Sequence, residues 1–337
     1  MCIRDRPNFA PTLTKAVTAS HYGAQATSVF NARDRRKNSR GYSMDVTIIG
    51  GGFAGTAAAI NLARANRLVC LIDEGKPRNR FSEHAHGILG LDSINPSELL
   101  SRAHEEFVSF GGTILPQRAN ELTESHDAES RWSVQLTGAE AVQSSHVLVA
   151  TGITDVLPDV PGLPELWGKR VYHCPYCHGY EVRGTNLAVI GGENPGFTFH
   201  ISKLLTKWAE KVTFFANGLD LPAEERELFT SLGITVTEEP VVSVDAADAS
   251  RSAVTIRTSN NETTFESCFT GPRFQPNDEL LREAGCDVVD GWVHTERGLT
   301  SQAGLWAAGN VISSPDQVSQ AAGAGAASET VLMTCRG

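Results

Sequence analysis

The sequence has few of the features of a secreted, membrane-embedded or nucleic-acid-binding protein. Its 337 residues include only seven cysteines, at irregular spacing, which does not resemble the disulfide framework of a small secreted domain. No apolar run is long enough and free enough of charge to cross a bilayer, so no membrane partner is expected. Basic residues are too few to balance the acidic ones, and the formal charge of −10 argues against a nucleic-acid partner. These absences together favour a cytoplasmic protein.

The first 43 residues differ in composition from the rest of the chain. They contain eight Lys or Arg against two acidic residues, and they show no clear apolar period. Three interpretations are open: a non-native leader before a natural start at Met44, an organelle transit peptide, or a disordered basic arm. We favour the non-native leader and exclude residues 1–43 from the fold prediction. A genuine transit peptide would instead place the protein in an organelle.

A glycine-rich turn follows the first strand-like run of the remaining chain, at residues 46–49. Gly50 permits a tight turn, Gly52 lets the backbone approach a pyrophosphate, and Gly55 lets the following helix pack closely on the strand. The free N–H groups at the start of such a helix attract phosphate. This turn therefore predicts a dinucleotide-binding site.

An acidic pair closes this first unit. After the helical pattern, a second buried strand ends at Asp73 and Glu74, where an acid accepts the ribose hydroxyls of a dinucleotide. We prefer Asp73 because it ends the strand. Strand, turn, helix, strand and acid occur in the order that a dinucleotide-binding fold requires.

A second unit of the same kind begins at residue 186, but its glycine motif is incomplete. Gly191 and Gly196 hold the first and last positions, whereas Glu193 occupies the middle one. A side chain there blocks close approach of the backbone and directs a negative charge toward a pyrophosphate. The segment after the next strand offers no arginine cluster for a 2′-phosphate. The sequence predicts a second dinucleotide fold in which binding of NAD(P)H stays open.

Cys174 and Cys177 are spaced as a metal half-site, a structural disulfide or a redox pair would be. A structural zinc site usually has four ligands in two pairs, and the other five cysteines form no second pair, so no metal site is predicted. A disulfide between positions three apart closes a very small loop and constrains the unfolded chain little. Thiols at this spacing form a reversible disulfide, and a helix N-terminus can lower their pKa. We therefore interpret them as a redox pair.

Taken in order, these motifs resemble the low-molecular-weight thioredoxin reductase family of FAD-dependent pyridine nucleotide-disulfide oxidoreductases. The resemblance rests on both glycine motifs, on ATG at residues 150–152 and on CPYCHGYE at residues 174–181. The stretch GLWAAGNVISSPDQVSQAAGAGAAS at residues 304–328 completes the set. The sequence is most similar to the Cys-Pro-x-Cys-His-Gly branch of the family, which includes fungal and bacterial dithiol oxidases.

The resemblance implies an α/β fold with two dinucleotide-binding, Rossmann-like domains, the second inserted into the FAD domain. Residues 44–155 would form the first part of the FAD-binding domain and residues 271–337 its second part. Residues 156–270 would form the inserted NAD(P)-binding-like domain with the redox pair. The family also implies a homodimer.

The resemblance further implies roles for individual residues. Cys177 would face the flavin, and Cys174 would exchange with a small dithiol or disulfide or with a thioredoxin-like protein. His178 would move a proton to or from the departing thiolate, because histidine titrates near neutral pH; a packed histidine is the alternative. Further FAD contacts would come from Asn79, Gly87, Thr151, Gly152, Gly309 and Asn310, and from Gln317 and Val318 at the start of a helix.

The function expected from these features is an FAD-dependent dithiol/disulfide oxidoreductase of thioredoxin reductase type. Its dependence on NADPH is doubtful because of Glu193, so oxygen or ferredoxin would be the electron partner. The alternative is a flavin-bound redox scaffold or partner-binding protein with a degenerate nicotinamide site.

Overall fold

The structure is a computed structural model that describes residues 37–38, 41–126, 130–248 and 252–332. The segment predicted as a leader, residues 1–43, lies outside the described residues except at its end. Within the described ranges, no helix has both the length and the apolar character needed to cross a membrane.

The first strand of the main sheet begins before Met44. A short strand, β1 (Lys37–Asn38), pairs antiparallel with the start of β2 (Gly41–Ile49). Ser43 is buried within β2, and its Oγ lies 3.1 Å from the Oγ of Ser130. The last residues of the predicted leader therefore take part in the sheet.

The described chain forms three successive groups of elements. The first group continues with α1 (Phe53–Arg64), β3 (Val69–Ile72), α2 (Pro96–Ser109), β4 (Thr113–Leu115), β5 (Ala119–Glu124), β6 (Trp132–Leu136), β7 (Ala139–Val149) and β8 (Ile153–Val156). The second comprises α3 (Leu163–Leu166), β9 (Val171–Tyr172), α4 (Pro175–His178), β10 (Asn186–Ile190), α5 (Pro195–Leu205), β11 (Lys211–Phe215), α6 (Ala223–Ser231), β12 (Thr235–Thr237), β13 (Val241–Ala246), β14 (Val254–Thr258), β15 (Glu262–Phe265) and β16 (Ser267–Thr270). The third comprises β17 (Arg273–Pro276), α7 (Glu279–Glu283), β18 (Val288–Val289), β19 (Trp292–Val293), β20 (Leu305–Ala307), a 3-10 helix (Gly309–Val311) and α8 (Val318–Leu332).

The main sheet has a parallel core in the order β4-β3-β2-β7, and β20 pairs parallel with the second half of β7. The apolar run of β3 is buried over its whole length, as expected for a parallel strand covered on both faces. Helix α1 packs on this sheet, where its Ala58 and Leu62 share a core with Ile48 and Trp306. The carboxyl ends of the parallel strands meet at one edge, which is where open α/β sheets bind their ligands.

A second parallel sheet, in the order β12-β11-β10-β16-β9, lies in the inserted segment. Its central strand β10 contributes Leu187 and Val189 to one apolar core and Ala188 and Ile190 to another. This division arises because successive side chains of a strand point to opposite faces. The predicted α/β fold with two Rossmann-like domains is confirmed.

The chain enters and leaves the inserted domain through one antiparallel ladder. Strand β8 pairs with β17, and Ile153 lies opposite Pro276. At the end of the ladder the backbone N–H of Asn277 donates to the Gly152 carbonyl at 3.0 Å. The expected boundary between residues 155 and 156 falls within β8, and the expected boundary between residues 270 and 271 falls just before β17.

Candidate redox site

The first glycine turn connects β2 to α1 and leaves space at one position. Gly50 has φ +103°, and a Cβ added there would overlap the Ala150 carbonyl oxygen. A Cβ on Gly55 would likewise overlap the Gly50 carbonyl oxygen. At Gly52, by contrast, a Cβ would meet nothing within 4 Å, and no side chain caps α1 there. The turn therefore offers open space and free N–H groups, which fits a pyrophosphate.

Of the two acidic candidates, Asp73 faces the glycine turn. Its Oδ1 accepts a hydrogen bond of 3.0 Å from the Gly51 N–H. Glu74 instead forms ion pairs with Lys76 at 3.4 Å and with Arg118 at 3.5 Å. The geometry supports the preference for Asp73 as the ribose-binding acid, and it gives Glu74 a surface role.

A histidine that the sequence analysis did not single out also supports this turn. His104 of α2 places its Nε2 3.1 Å from the Gly51 carbonyl oxygen and 3.1 Å from Thr56 Oγ1. Thr56 Oγ1 donates to the same carbonyl at 2.9 Å. The side chains of His104 and Thr56 therefore hold the turn at the Gly51 carbonyl, and the space at Gly52 stays open.

Thr151 and Gly152, two predicted flavin contacts, are joined to the returning chain. Thr151 Oγ1 donates to the Asn277 carbonyl at 2.6 Å, and Asn277 Nδ2 donates to the Thr151 carbonyl at 3.0 Å. Gly152 has φ +70° and accepts the Asn277 N–H. The backbone of this predicted contact is therefore positioned by Asn277, just after β17, where the chain returns from the inserted domain.

Gly309 and Asn310 shape the approach to α8. Gly309 has φ +73°, and a Cβ there would come within 2.7 Å of the Ala54 Cβ. Asn310 Oδ1 accepts a hydrogen bond of 2.7 Å from the Asp316 N–H, so it orders the loop that leads into the helix. Helix α8 begins at Val318, as the closing motif predicted.

The loop after β3 reaches the same region. Gly87 has φ +71°, and its carbonyl accepts a hydrogen bond of 2.8 Å from Ser319 Oγ in the first turn of α8. Asn79 lies earlier in this loop, where its carbonyl accepts from the Ser82 N–H at 3.0 Å. Gly87 is thus brought next to the start of α8, whereas Asn79 has a turn-forming role.

Cys174 and Cys177 form a disulfide at the start of α4, with their Cα atoms 5.3 Å apart. The inner sulfur contacts the FAD domain, because Gln317 Nε2 donates to Cys177 Sγ at 3.6 Å. This pair fits a redox-active disulfide.

His178 is held as a neutral, packed side chain. Its ring stacks on Tyr172 with centroids 4.0 Å apart, and its Nδ1 is buried without a hydrogen-bond partner. Burial lowers the pKa of His178 to about 4, with a further lowering from His86 and a small opposing effect of a hydrogen bond to the Cys174 backbone. At neutral pH the ring therefore carries no charge and is not the imidazolium that would act as a general acid.

The sequence analysis missed an ion pair within the FAD domain, between Arg78 and Asp155 of β8. Arg78 donates to Asp155 with two hydrogen bonds, of 2.8 and 2.7 Å. Arg78 Nη2 also lies 3.1 Å from Nε2 of His173, whose ring stacks on Trp167. Burial, with the nearby charge of Arg78, lowers the pKa of His173 well below its usual range. The ring of His173 is therefore neutral, and its Nε2 accepts the hydrogen bond from Arg78.

A cavity of about 410 Å³ opens beside the outer cysteine, between the inserted domain and the start of α8. Most of its lining is apolar. The lining residues are Cys174, Pro175, Tyr176, Phe197, His200, Ile201, Leu204, Pro315, Gln317 and Gln320. His178 and Cys177 are not among them. The cavity therefore gives a small molecule access to Cys174.

The second glycine turn differs from the first in its geometry. A Cβ on Gly191 would overlap the Ala216 carbonyl oxygen, which repeats the contact at Gly50. A Cβ on Gly196 would meet nothing within 4 Å, so Gly196 does not make the close packing contact that Gly55 makes in the first turn. Helix α5 starts one residue later relative to the motif than α1 does, at Pro195, which moves Gly196 away from the turn.

Side chains of this chain already use part of the second turn. Asn194 caps α5, and its Oδ1 accepts from the Phe197 N–H at 3.1 Å. Asn217 donates from Nδ2 to the Gly191 carbonyl at 3.2 Å. Glu193 is solvent-exposed within the turn. The donors and the space that a pyrophosphate needs are therefore reduced here.

The profile of the pyridine nucleotide-disulphide oxidoreductase family matches residues 44–325, and the chain belongs to this family. Thioredoxin reductase tcpT of Claviceps purpurea (strain 20.1) is 32% identical over 220 residues, which cover 64% of this chain and 68% of that protein. Thioredoxin reductase sirT of Leptosphaeria maculans is 26% identical over 281 residues, 79% of this chain and 86% of that protein. The crystal structure of HlmI is similar with a TM-score of 0.82 at 36% identity, over 86% of this chain and 92% of HlmI.

These similarities define an oxidoreductase of the thioredoxin reductase-like kind, and proteins of this kind use FAD. The expected family and the expected cofactor are thus confirmed. The open space at Gly52 and the orientation of Asp73 fit the pyrophosphate and a ribose of this cofactor.

Proposed function

We propose that the protein is an FAD-dependent dithiol–disulfide oxidoreductase that exchanges electrons with a small dithiol through Cys174 and Cys177. The observation that carries this proposal is the asymmetry of the disulfide. Cys174 lines the cavity, whereas the sulfur of Cys177 contacts Gln317 at the start of α8. One sulfur is open to substrate and the other faces the FAD domain.

The asymmetry assigns a direction to the exchange. A substrate thiolate attacks Cys174 Sγ, the Cys174–Cys177 bond breaks, and Cys177 leaves as the thiolate. The N–H of Gln317 stabilises this leaving group by its hydrogen bond to the sulfur. When bound, FAD supplies the two-electron acceptor for the reduced cysteine pair.

The cavity favours a small substrate over a protein. Its volume lies in the range of small-molecule sites, and its mostly apolar wall suits a substrate with an apolar body. Two glutamines, Gln317 and Gln320, supply polar groups that can orient it. A thioredoxin-like protein is the second candidate substrate, and it is favoured by the names of tcpT and sirT.

The second glycine turn supports an electron partner other than NADPH. Glu193 occupies the position of close backbone approach, and Asn194 already satisfies an N–H at the start of α5. One cation of α5, Lys203, is already paired with Glu225 at 2.9 Å. We infer that the dithiol is oxidised to its disulfide while oxygen takes up two electrons and two protons to give hydrogen peroxide.

The test measures dithiol consumption and hydrogen peroxide formation by the FAD-loaded protein. We expect one peroxide per disulfide formed, and loss of turnover in both Cys174→Ser and Cys177→Ser with FAD content unchanged. Reduction of thioredoxin at the expense of NADPH, without oxidation of small dithiols, would support the second candidate. Bound FAD with no turnover of either substrate would support a redox scaffold.

We also propose that the protein acts as a cytoplasmic homodimer, as the family resemblance implies. Light scattering at micromolar concentration tests the oligomeric state, and a monomer under those conditions would refute it.

A further inference from the structure

The cavity beside Cys174 contains an imidazole that the exchange described above does not use. Among the described residues that line it, His200 is the one imidazole, the side chain that most often transfers protons in catalysis. His200 is solvent-exposed on α5, so a proton taken from a bound molecule can pass on to water. A substrate thiol needs such an acceptor, because the thiolate is the nucleophile.

Helix α5 directs His200 into this position. Phe197, Ile201 and Leu204 line the cavity at intervals of four and three residues, which places them on one face of the helix, and His200 belongs to the same face. Phe197 packs edge-on against Phe274 with centroids 5.2 Å apart, which anchors this face on the returning strand β17. The position of His200 is therefore set by the packing of the helix rather than by a flexible loop.

His178, which follows Cys177 in the chain, is poorly suited to the same task. His178 lies outside the cavity lining, its Nδ1 is buried without a partner, and its ring is stacked on Tyr172. A proton placed on that buried nitrogen would have no hydrogen-bond acceptor. The proton of a substrate thiol bound at Cys174 is therefore taken up by a side chain that lines the cavity.

We propose that His200 accepts the proton of the substrate thiol during its exchange with Cys174. This inference rests on the proposed function, since it assumes that a small dithiol binds in the cavity. His200 takes the proton from the first substrate thiol, the thiolate sulfur bonds to Cys174 Sγ, and the Cys174–Cys177 bond breaks. The second substrate thiol then attacks the first substrate sulfur, Cys174 leaves with a proton, and the substrate disulfide is released. Two electrons pass from the substrate to the cysteine pair.

The groups that face His200 do not supply a competing charge. Gln317 and Gln320 on the opposite wall are neutral, and Tyr176 of α4 carries a phenol. On α5 itself, Lys203 pairs with Glu225 and does not line the cavity. His200 is thus the proton acceptor that this wall offers.

The test follows the opening of the disulfide directly. Oxidised, FAD-loaded protein is mixed anaerobically with dithiothreitol, quenched with N-ethylmaleimide, and the alkylated cysteines are counted by mass spectrometry between pH 5.5 and 9.5. For His200→Gln we expect the rate constant at pH 7 to fall on the order of 10²-fold, as is typical for loss of a general base. The difference should close above pH 9, where the substrate thiol is already ionised, because thiols titrate near pH 8.5.

The controls separate proton transfer from packing and from the proposed function. His294→Gln changes an exposed histidine of the FAD domain and should leave the rate and its pH profile unchanged. His200→Asn is the second variant should the first fail to fold. Glutamine keeps a hydrogen bond but accepts no proton, so a wild-type rate and profile in His200→Gln would overturn the proposal and leave the proposed function standing. A wild-type disulfide that small dithiols do not open would refute both.

Discussion

Gln317 Nε2 lies 3.6 Å from Cys177 Sγ, a contact that joins the start of α8 to the inner sulfur of the disulfide. An N–H donor favours the thiolate over the thiol, because hydrogen bonding to the charged form stabilises it. Gln317→Glu keeps the shape of the side chain and replaces this donor with a negative charge. We expect the pKa of reduced Cys177 to rise by about one unit or more, equivalent to about 1.4 kcal/mol per unit.

The pKa of Cys177 is measured from the pH dependence of its alkylation in a Cys174→Ser background. Gln275→Glu adds the same charge at an exposed position and serves as the control. An unchanged pKa in Gln317→Glu would show that the contact does not stabilise the leaving thiolate.

The ion pair between Arg78 and Asp155 should stabilise the fold far more than a surface pair does. Both side chains are shielded, with 19% and 8% of their surface exposed. Asp155→Asn leaves the arginine charge partly buried without its partner, and such a change lowers the free energy of unfolding by about 3 kcal/mol. Denaturant unfolding measures the loss. Arg257→Met, which breaks an exposed pair with Glu262, should have a much smaller effect.

A double variant tests whether the Arg78–Asp155 interaction itself is responsible. Arg78→Met combined with Asp155→Leu removes both charges, so it should recover part of the stability lost in Asp155→Asn. Equal losses in the single and double variants would mean that packing around Asp155, rather than the ion pair, determines stability.

Two glycines of the first turn offer a matched pair of alanine substitutions. Gly55→Ala would overlap the Gly50 carbonyl oxygen, so we expect the protein to lose stability even without FAD. Gly52→Ala meets nothing within 4 Å, so the apoprotein should unfold as the wild type does. The added methyl group would stand where the pyrophosphate approaches, and FAD affinity should fall at least tenfold. Thermal unfolding and FAD titration of the two apoproteins distinguish these effects; equal FAD affinity in wild type and Gly52→Ala would contradict the assignment.

Acid should destabilise the protein partly through His178. Burial lowers the pKa of His178 from 6.5 to about 4, so the unfolded chain binds a proton between these values that the folded chain does not. Stability is therefore complete above pH 6.5 and is lost as the pH falls toward 4, by about 3 kcal/mol for this group. His178→Gln should flatten the dependence of the melting temperature on pH between 7.5 and 5. An identical slope in both proteins would show that His178 titrates normally.

NADPH should reduce the bound flavin slowly or not at all. Glu193 places a carboxylate at the turn where a pyrophosphate would bind, and an unpaired charge of this kind can weaken binding by orders of magnitude. Anaerobic stopped-flow mixing with NADPH and with NADH measures the rate of flavin bleaching. NADH, which lacks the 2′-phosphate, should be the better of two poor donors. Rapid, saturable bleaching at micromolar NADPH would contradict this expectation.

Glu193→Gly tests whether the carboxylate is the cause. We expect partial recovery of flavin reduction, because Asn194 still occupies an N–H at the start of α5. Glu210→Gly removes an exposed carboxylate elsewhere on the inserted domain and should change nothing. No recovery in Glu193→Gly would mean that the turn geometry, rather than the charge, excludes the nucleotide.

The features that the sequence predicted best are those that local backbone geometry determines. Gly50 and Gly55 follow from contacts with carbonyl groups that leave no room for a Cβ, so their spacing alone indicates the turn. The start of α8 at Val318 is also local. In the second turn the spacing of the glycines was misleading. The later start of α5 moves Gly196 away from the packing contact that Gly55 makes, and the motif alone does not show where a helix begins.

Contacts between the two domains could not be read from the sequence. Arg78 contacts Asp155 and His173 across 77 and 95 residues of chain, and the contact with His173 forms only once the inserted domain is placed against the first. In the sequence, His200 is one of several polar residues in the largely apolar helix α5. Its position in the cavity is visible only in the structure, where residues at the start of α8 line the same cavity. Such side chains carry no local pattern, since their partners are fixed by tertiary packing.

The ladder between β8 and β17 bears on how this architecture changes over evolution. Ile153 and Pro276 face each other, so the ends of the inserted module stand about 5 Å apart, the spacing of paired antiparallel strands. An inserted domain whose two ends lie side by side can change in sequence or structure without changing the distance between its two connections to the FAD domain. A substitution in a nucleotide turn inside it, such as one at Glu193, is then a local event. Such a change need not disturb the cofactor site of the host sheet.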